Sequence, residues 1–309
     1  KQLIAIVKRD VAPALGCTEP ISLALASAIA KSYLGSEPVQ IQAKVSPNLM
    51  KNGMGVTVPG TGMVGLPIAA AVGAIAGDAT AGLEVLKHIQ ADDVAKAKAM
   101  LDANQVSVDI ANVDFPLYSE ALLLGETGWV KVCIQDTHTN VVLIEKNGEV
   151  LFQQQTQAVE IADDYHFFNQ LSAEQIYQFA MEVPLEQIAF IAEAAKLNSA
   201  LSKEGLEKEY GLHIGRTLKK QIELGLMSDD LLSRIVIETT AVSDARMDGA
   251  LLPAMSNSGS GNQGIAATMP SVIVARFVNA DDEQLIRALF LSHTIAIYIH
   301  SKLPKLSAL

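Results

Sequence analysis

Cysteine is scarce in this 309-residue chain, and its two copies, Cys17 and Cys133, cannot make a disulfide framework. Aromatic residues are also few, 5% with a single tryptophan. The core must therefore be built from Ala, Val, Ile and Leu, which suits close-packed helices. No Cys-x-x-Cys occurs, and the six histidines form no His-x-x-x-His pair, which argues against a zinc site. No Lys/Arg cluster stands out and the formal net charge is −11, which argues against nucleic acid and anionic membrane surfaces as partners. The longest low-charge stretches, 56–77 and 249–275, are interrupted by Pro, Gly and polar residues. Neither reads as a spanning helix, which needs ~20 mostly apolar residues. No signal peptide is visible in a chain that opens at Lys1, and a cytoplasmic enzyme or binding protein is expected.

What is present is half hydrophobic and organised in blocks. Residues 1–14 are amphipathic at helical spacing, with Leu3, Ile6, Val7 and Val11 on one face. After a break at Pro13–Gly16, a helix is expected from near Thr18 to about Leu34, ending at Gly35. Cys17 then sits at a helix N-terminus, where the dipole favours a thiolate suited to metal binding or nucleophilic work. A buried structural cysteine fits the same position equally well. Strands are expected at 39–46 and 55–58, joined by a polar connection carrying Asn48, Lys51 and Asn52. The glycine-rich turn at 59–65, which includes Thr61, leads into an Ala-rich helix at 66–76. Beyond Gly77 come a charged helix at 92–103 and strands at 106–110, 128–135, 140–146 and 149–154, with Asn147-Gly148 as a hairpin signal. Ser172 with Gln175 forms a capping box. Further helices are expected at 184–201, 204–223, 229–247, 265–278 and 281–301. This pattern predicts an α+β protein. Residues 1–79 with 166–309 would form a mostly helical, discontinuous catalytic domain, and 80–165 an inserted small α+β module.

The stretch that invites a ligand is Met255–Thr268, MSNSGSGNQGIAAT. Its glycines permit φ > 0 and close approach to the backbone, and the helix that follows offers unpaired N–H groups and a positive dipole end. That arrangement suits a carboxylate or phosphate; the competing reading is a Gly/Ser linker. Arg246, shortly before it, could grip a carboxylate in a bidentate manner or pair with Asp244 or Asp248. Two G-x-G-x-x-G matches, at Gly60/Gly62/Gly65 and Gly259/Gly261/Gly264, each lack half the context of a dinucleotide site. His293 and His300, seven apart on one expected helix, share a face, where a surface or satisfied core pair is the commoner role.

Three further stretches stand beside Gly16-Cys17-Thr18-Glu19-Pro20. They are Val45–Asn48 with Lys51-Asn52, Val58–Gly62 with Gly65-Leu66, and Ser258–Gly264. In this order, over essentially the whole chain, they resemble the L-cysteine desulfidase family, relatives of the α chain of bacterial iron–sulfur L-serine dehydratases. The resemblance implies a pyridoxal-independent lyase converting L-cysteine to pyruvate, ammonia and sulfide, with L-serine dehydration by the same mechanism as the alternative. It implies a [4Fe-4S] cluster held by three cysteines, Cys17 among them. It also implies a carboxylate grip by Ser258, Ser260, Asn262 and the neighbouring backbone at Gly259, Gly261 and Gln263, with Thr61 and Arg246 in the substrate-binding set. Lys51, or else His293, would be the base, and Asn48 and Asn52 would orient the amino acid. Such elimination needs an electrophile at the leaving atom, a base for the α-proton and a carboxylate clamp. Two cysteines cannot supply three thiolates. The resemblance implies that the others lie in a C-terminal region beyond the helix that ends near His300, so either that region is missing from this sequence, as expected here, or the cluster has been lost. The expected partner is a small amino-acid substrate, with neither nucleic acid nor membrane, and Ala-rich helices leave room for a homodimer. A non-catalytic amino-acid or carboxylate-binding protein is the alternative of another class, and a nucleotide-dependent oxidoreductase a third.

Overall fold

Alanine and glycine set how closely helices approach in this computed structural model, which describes residues 1–154 and 166–303. In chain order the principal helices are α1 (Gln2–Asp10), α2 (Thr18–Leu34), α3 (Pro47–Gly53), α4 (Leu66–Ala76), α5 (Ala91–Asp102) and α6 (Ala173–Glu182). They continue with α7 (Ala192–Glu207), α8 (Ile214–Glu223), α9 (Leu231–Met247), α10 (Gly261–Phe277) and α11 (Asp282–His300). The strands are β1 (Pro13–Ala14), β2 (Gln40–Val45), β3 (Thr57–Val58), β4 (Met63–Val64), β5 (Val106–Ile110), β6 (Tyr118–Leu124), β7 (Trp129–Gln135), β8 (Val141–Lys146), β9 (Glu149–Gln153) and β10 (Ala254–Met255). The protein is α+β, as the sequence pattern predicts.

The chain divides into two compact units, Lys1–Ala14 with Ala158–Leu309, and Leu15–Gln157. The second is built on a six-stranded sheet of order β5-β2-β6-β7-β8-β9, in which only the β2–β5 pair is parallel. β2, from the first 79 residues, lies between β5 and β6, so residues 15–79 cluster with the sheet. The boundary expected at residue 80 thus falls inside this unit, because strand pairing, which burial of both backbone and side chains favours, crosses it. Helix α2 covers β6 and β7 through a run of small buried residues, and the Ser22 and Ser119 hydroxyls meet at 2.9 Å beneath it. Helix α4 then packs on α2 so tightly that a Cβ at Gly73 would lie 2.6 Å from Ala24 Cα. The segment 47–53, expected to be a loop, is helix α3, which Ser46 caps by accepting from Leu49 N–H while Pro47 occupies its first turn.

The first unit is helical. The apolar face of α1 (Leu3, Ile4, Ile6, Val7) enters a core with Phe168, Ile188, Leu289 and Phe290. A second core gathers Leu201 from α7, Val242 and Ala245 from α9, and Ile265, Met269 and Ile273 from α10. The expected helix over 204–223 is two helices, α7 and α8, with Asp244 of α9 capping the start of α8 by accepting from Leu212 and Ile214 N–H. A two-stranded antiparallel ribbon, β1 with β10, ties residues 13–14 to 254–255. Helix α10 begins at Gly261, four residues before the expected start, and carries Pro270 in its interior.

Candidate functional site

In the sheet-containing unit, Cys17 is the N-cap residue of α2 and is buried. Its Sγ donates to Glu19 Oε2 at 2.9 Å. The same carboxylate receives Thr18 Oγ1 at 3.3 Å and, on Oε1, Asn52 Nδ2 at 3.3 Å. Burial pushes the Glu19 carboxyl up, but the charge of buried His138 and the hydrogen bonds from Cys17, its own backbone N–H and Asn52 outweigh it, leaving the group below its ordinary value. Gly16, at φ +74°, lies so close to the Pro59 ring that a Cβ would sit 2.7 Å from its Cδ. The loops Gly16–Cys17 and Pro59–Gly62 are therefore packed against each other. Thr61, buried in the second loop, donates to the Val58 carbonyl at 2.8 Å and accepts from Met63 N–H at 3.1 Å, so its hydroxyl shapes the turn. Asn48, Lys51 and Asn52 fall at i, i+3 and i+4 of α3, one face of the helix. Asn48 and Lys51 are exposed, while Asn52 leans on Glu19.

Sequence reading gave no role to Glu19 or His138. The available signal was Glu19 two residues after Cys17, in the first turn of a helix, where a carboxylate complements the dipole. His138 lies in a loop beyond β7 and has no sequence signal. Cys133, on β7, sits beside Glu120 on β6 and receives Tyr118 Oη at 3.3 Å. Burial, with the Glu120 carboxylate alongside, pushes its thiol up to about 11. Among the described residues no group of three or more His, Cys, Asp or Glu could hold a metal ion. A cluster held by three cysteines does not fit these residues, since Cys133 is a neutral thiol within the sheet and Cys17 is the remaining one.

In the helical unit the glycine-rich stretch is a built loop. Ser256 N–H and Ser256 Oγ both donate to the Ala12 carbonyl, at 2.9 and 2.6 Å, and Ser258 N–H donates to Asp10 O at 2.9 Å. Asn257 and Ser260 exchange backbone hydrogen bonds at 3.0 and 2.9 Å across a two-residue turn, with Ser258 at φ +49° and Gly259 at φ +80°. Positive φ at both central residues is the signature of the tight turn that closes hairpins. Ser260 then caps α10, its Oγ accepting from Gln263 N–H at 3.2 Å. The linker reading fails against this density of bonds.

Arg246 is buried under the loop. Its Nη1 donates to Asn262 Oδ1 at 3.1 Å, and a Cβ at Gly261 would lie 2.5 Å from Nη2. Only glycine lets α10 begin against the guanidinium. Gly264 is constrained harder, since its Cβ would fall 2.6 Å from the Ser256 backbone. His293, on α11, is fully buried. Its Nδ1 lies 3.0 Å from Asn257 Nδ2 and its Nε2 3.0 Å from Thr268 Oγ1. Burial lowers its pKa to about 4, so the ring is neutral at physiological pH. The structure thus gathers Arg246, Ser258, Gly259, Ser260, Gly261, Asn262, Gln263 and His293, and adds Asn257 and Thr268. Asn262 is exposed and Gln263 buried.

These features define an α+β protein with a glycine-rich, helix-capped loop over a buried arginine and a cysteine–carboxylate pair at the start of an Ala-rich helix. A family model described as serine dehydratase alpha chain matches residues 80–309. The chain is 65% identical over 307 residues to a UPF0597 protein of Actinobacillus pleuropneumoniae serotype 5b, covering 99% of this chain and 71% of that one. It is 60% identical over 309 residues to a UPF0597 protein of Dichelobacter nodosus, covering 100% and 71% respectively. To the UPF0597 protein YhaM of Escherichia coli strain K12 it is 56% identical over 312 residues, covering 100% and 72%. No solved structure matches. The chain belongs to the serine dehydratase alpha chain family, within its UPF0597 relatives. Among the described residues no helix is long and apolar enough to cross a membrane.

Proposed function

We propose that this chain is a lyase that removes the β-substituent of a small amino acid, with L-cysteine as substrate and L-serine as the alternative. The reaction takes the α-proton to a base and expels sulfide from Cβ, leaving aminoacrylate. Its imine tautomer takes up water to give pyruvate and ammonia. The observation that carries the reading is the capped loop 256–264 at the start of a 17-residue helix, with the Arg246 guanidinium beneath it. Helix-start amides, short hydroxyls and a buried cation are the donor set a carboxylate needs. We assign carboxylate binding to Ser260, Asn262 and the backbone at Gly259 and Gly261, with Ser258 bonded to Asn257 and shaping the turn, and Arg246 holding the loop and supplying charge. The family resemblance supplies the remaining roles, with Lys51, exposed on α3, as base and Asn48 and Asn52 orienting the amino acid. His293, both of whose ring nitrogens are bonded, is assigned no proton-transfer step. The resemblance also implies a [4Fe-4S] cluster, and Cys17 would be its one ligand in this chain.

The test is pyruvate and sulfide release from L-cysteine and L-serine by protein prepared without air, with and without added iron and sulfide. Release of both products from L-cysteine, with Lys51→Met losing at least ~100-fold in kcat, is the result expected for a general base. Calorimetric binding of both amino acids with no pyruvate under any of these conditions would instead make this a carboxylate-binding protein, the second reading, which the loop geometry alone also favours.

A further inference from the structure

The buried imidazole that proton transfer leaves unused has a defined set of partners, and hydrogen-bond chemistry fixes each role. Thr268 has one hydroxyl proton, which goes to the Gly264 carbonyl at 2.7 Å. Its oxygen must then accept from His293, so Nε2 carries the proton and Nδ1 is bare. Asn257 Nδ2 supplies its two protons to that bare Nδ1 and to the His293 carbonyl, each at 3.0 Å. The Asn257 amide oxygen is thereby turned the other way, where it accepts from Gln263 Nε2 at 2.8 Å and Ser258 Oγ at 3.0 Å. Rotating the amide by half a turn would set oxygen against the bare nitrogen and carbonyl, and nitrogen against two donors. Every one of these side chains but Ser258 is buried, so water cannot repair such a mismatch.

From this we infer that His293 is the positioning residue of the loop, its neutral Nε2-protonated ring fixing which way the Asn257 amide faces and so where Ser258 and Gln263 are held. The inference deepens the carboxylate-binding role proposed above and rests on that reading for its effect on substrate. It requires no transfer of a proton by the ring.

Three measurements test it. Nitrogen NMR of histidine-labelled protein should show Nε2 protonated and Nδ1 bare from pH 8 to pH 5; a protonated Nδ1 overturns the inference. Hydrogen exchange at the amides of residues 256–264 should be at least ~10-fold faster in His293→Leu, the scale of one buried hydrogen bond lost, with α6 and α8 unchanged. In His293→Asn, whose Oδ1 stands where Nδ1 stood, exchange should stay within ~3-fold of the unmutated protein. Equal loop exchange in all three proteins overturns the inference. On the amino acid that turns over, His293→Leu should raise KM roughly 10-fold with kcat within ~3-fold, a loss of ground-state binding. Loss of kcat with KM and loop exchange unchanged would make the ring a base and refute positioning. If no amino acid turns over yet the exchange difference stands, the lyase reading fails and the positioning role survives.

Discussion

Replacing Gly264 with alanine puts a methyl group where the backbone of β10 already is. The new Cβ would lie 2.6 Å from both Cα and C of Ser256 and closer still to the Met255 carbonyl oxygen. No side chain can rotate away, because the obstacle is main chain, and that main chain is pinned by pairing with β1 and by the bond from Ser256 N–H to Ala12. Overpacking of this kind costs roughly 1–3 kcal/mol, and the rigid neighbour puts it at the upper end. Against that stands a gain of about 1 kcal/mol for alanine over glycine within a helix. The net is a loss of about 2 kcal/mol, which for a domain of 150–250 residues lowers Tm by roughly 4–8 °C. Ala266→Gly, on the exposed side of the same helix, isolates the propensity term and should cost about 1 kcal/mol. Thermal unfolding followed by circular dichroism decides the matter. A Gly264→Ala protein melting at or above the parent temperature would refute the claim that α10 starts in contact with the strand backbone.

Other outcomes follow from the same geometry. In Gly261→Ala the methyl meets the Arg246 guanidinium, so stability should fall less than in Gly264→Ala while KM rises as Arg246 leaves Asn262, read from melting and initial rates together. Ser260→Ala removes the cap of α10 and should cost about 1 kcal/mol in urea unfolding. His293 has a folded pKa of about 4 against 6.5 for a free imidazole, so the unfolded chain takes up the proton first on acidification. Its contribution to stability is complete above pH 6.5 and is lost progressively between 6.5 and 4, by roughly 3 kcal/mol in all. Buried His300 shifts in the same direction, since burial outweighs the Asp10 charge, and His293→Asn should flatten the acid limb of the stability profile. Cys133, buried with its thiol up at about 11, should remain unalkylated at pH 8 in native protein by peptide mapping.

Local chemistry was legible in the sequence wherever one residue type decides a conformation. The Ser172–Gln175 capping box, the Asn147-Gly148 hairpin with φ of +53° and +88°, and Gly35 ending α2 at φ +76° are all present. Helix α4 has the bounds its Ala-rich run suggests. What stayed hidden was β6, YSEALLL, whose leucines and alanine carry no β-branched signal although burial alternates along it. Because β6 joins β2 to β7, missing it concealed the unit that runs from residue 15. Among the candidate residues, the loop, its arginine and, in the other unit, Cys17 were visible as residue types, but their partners were not. Glu19 binds Cys17 through local geometry, while Asn257 meets His293 only because α10 and α11 pack together. Sequence spacing carries no trace of that contact.

The ribbon between β1 and β10, with the bond from Ser256 Oγ to the Ala12 carbonyl, joins positions as far as 244 apart. A ribosome adding roughly 5–20 residues per second leaves the Ala12 carbonyl waiting on the order of 10–50 seconds for Ser256. Leu3, Ile6 and Val7 share a core with Phe168 and Ile188, which are made earlier in that interval, and with Leu289 and Phe290, which are made after it. The loop that would bind an amino acid thus gains its anchor on Ala12 only once Ser256 is made, and a nascent chain has no means of using it before then.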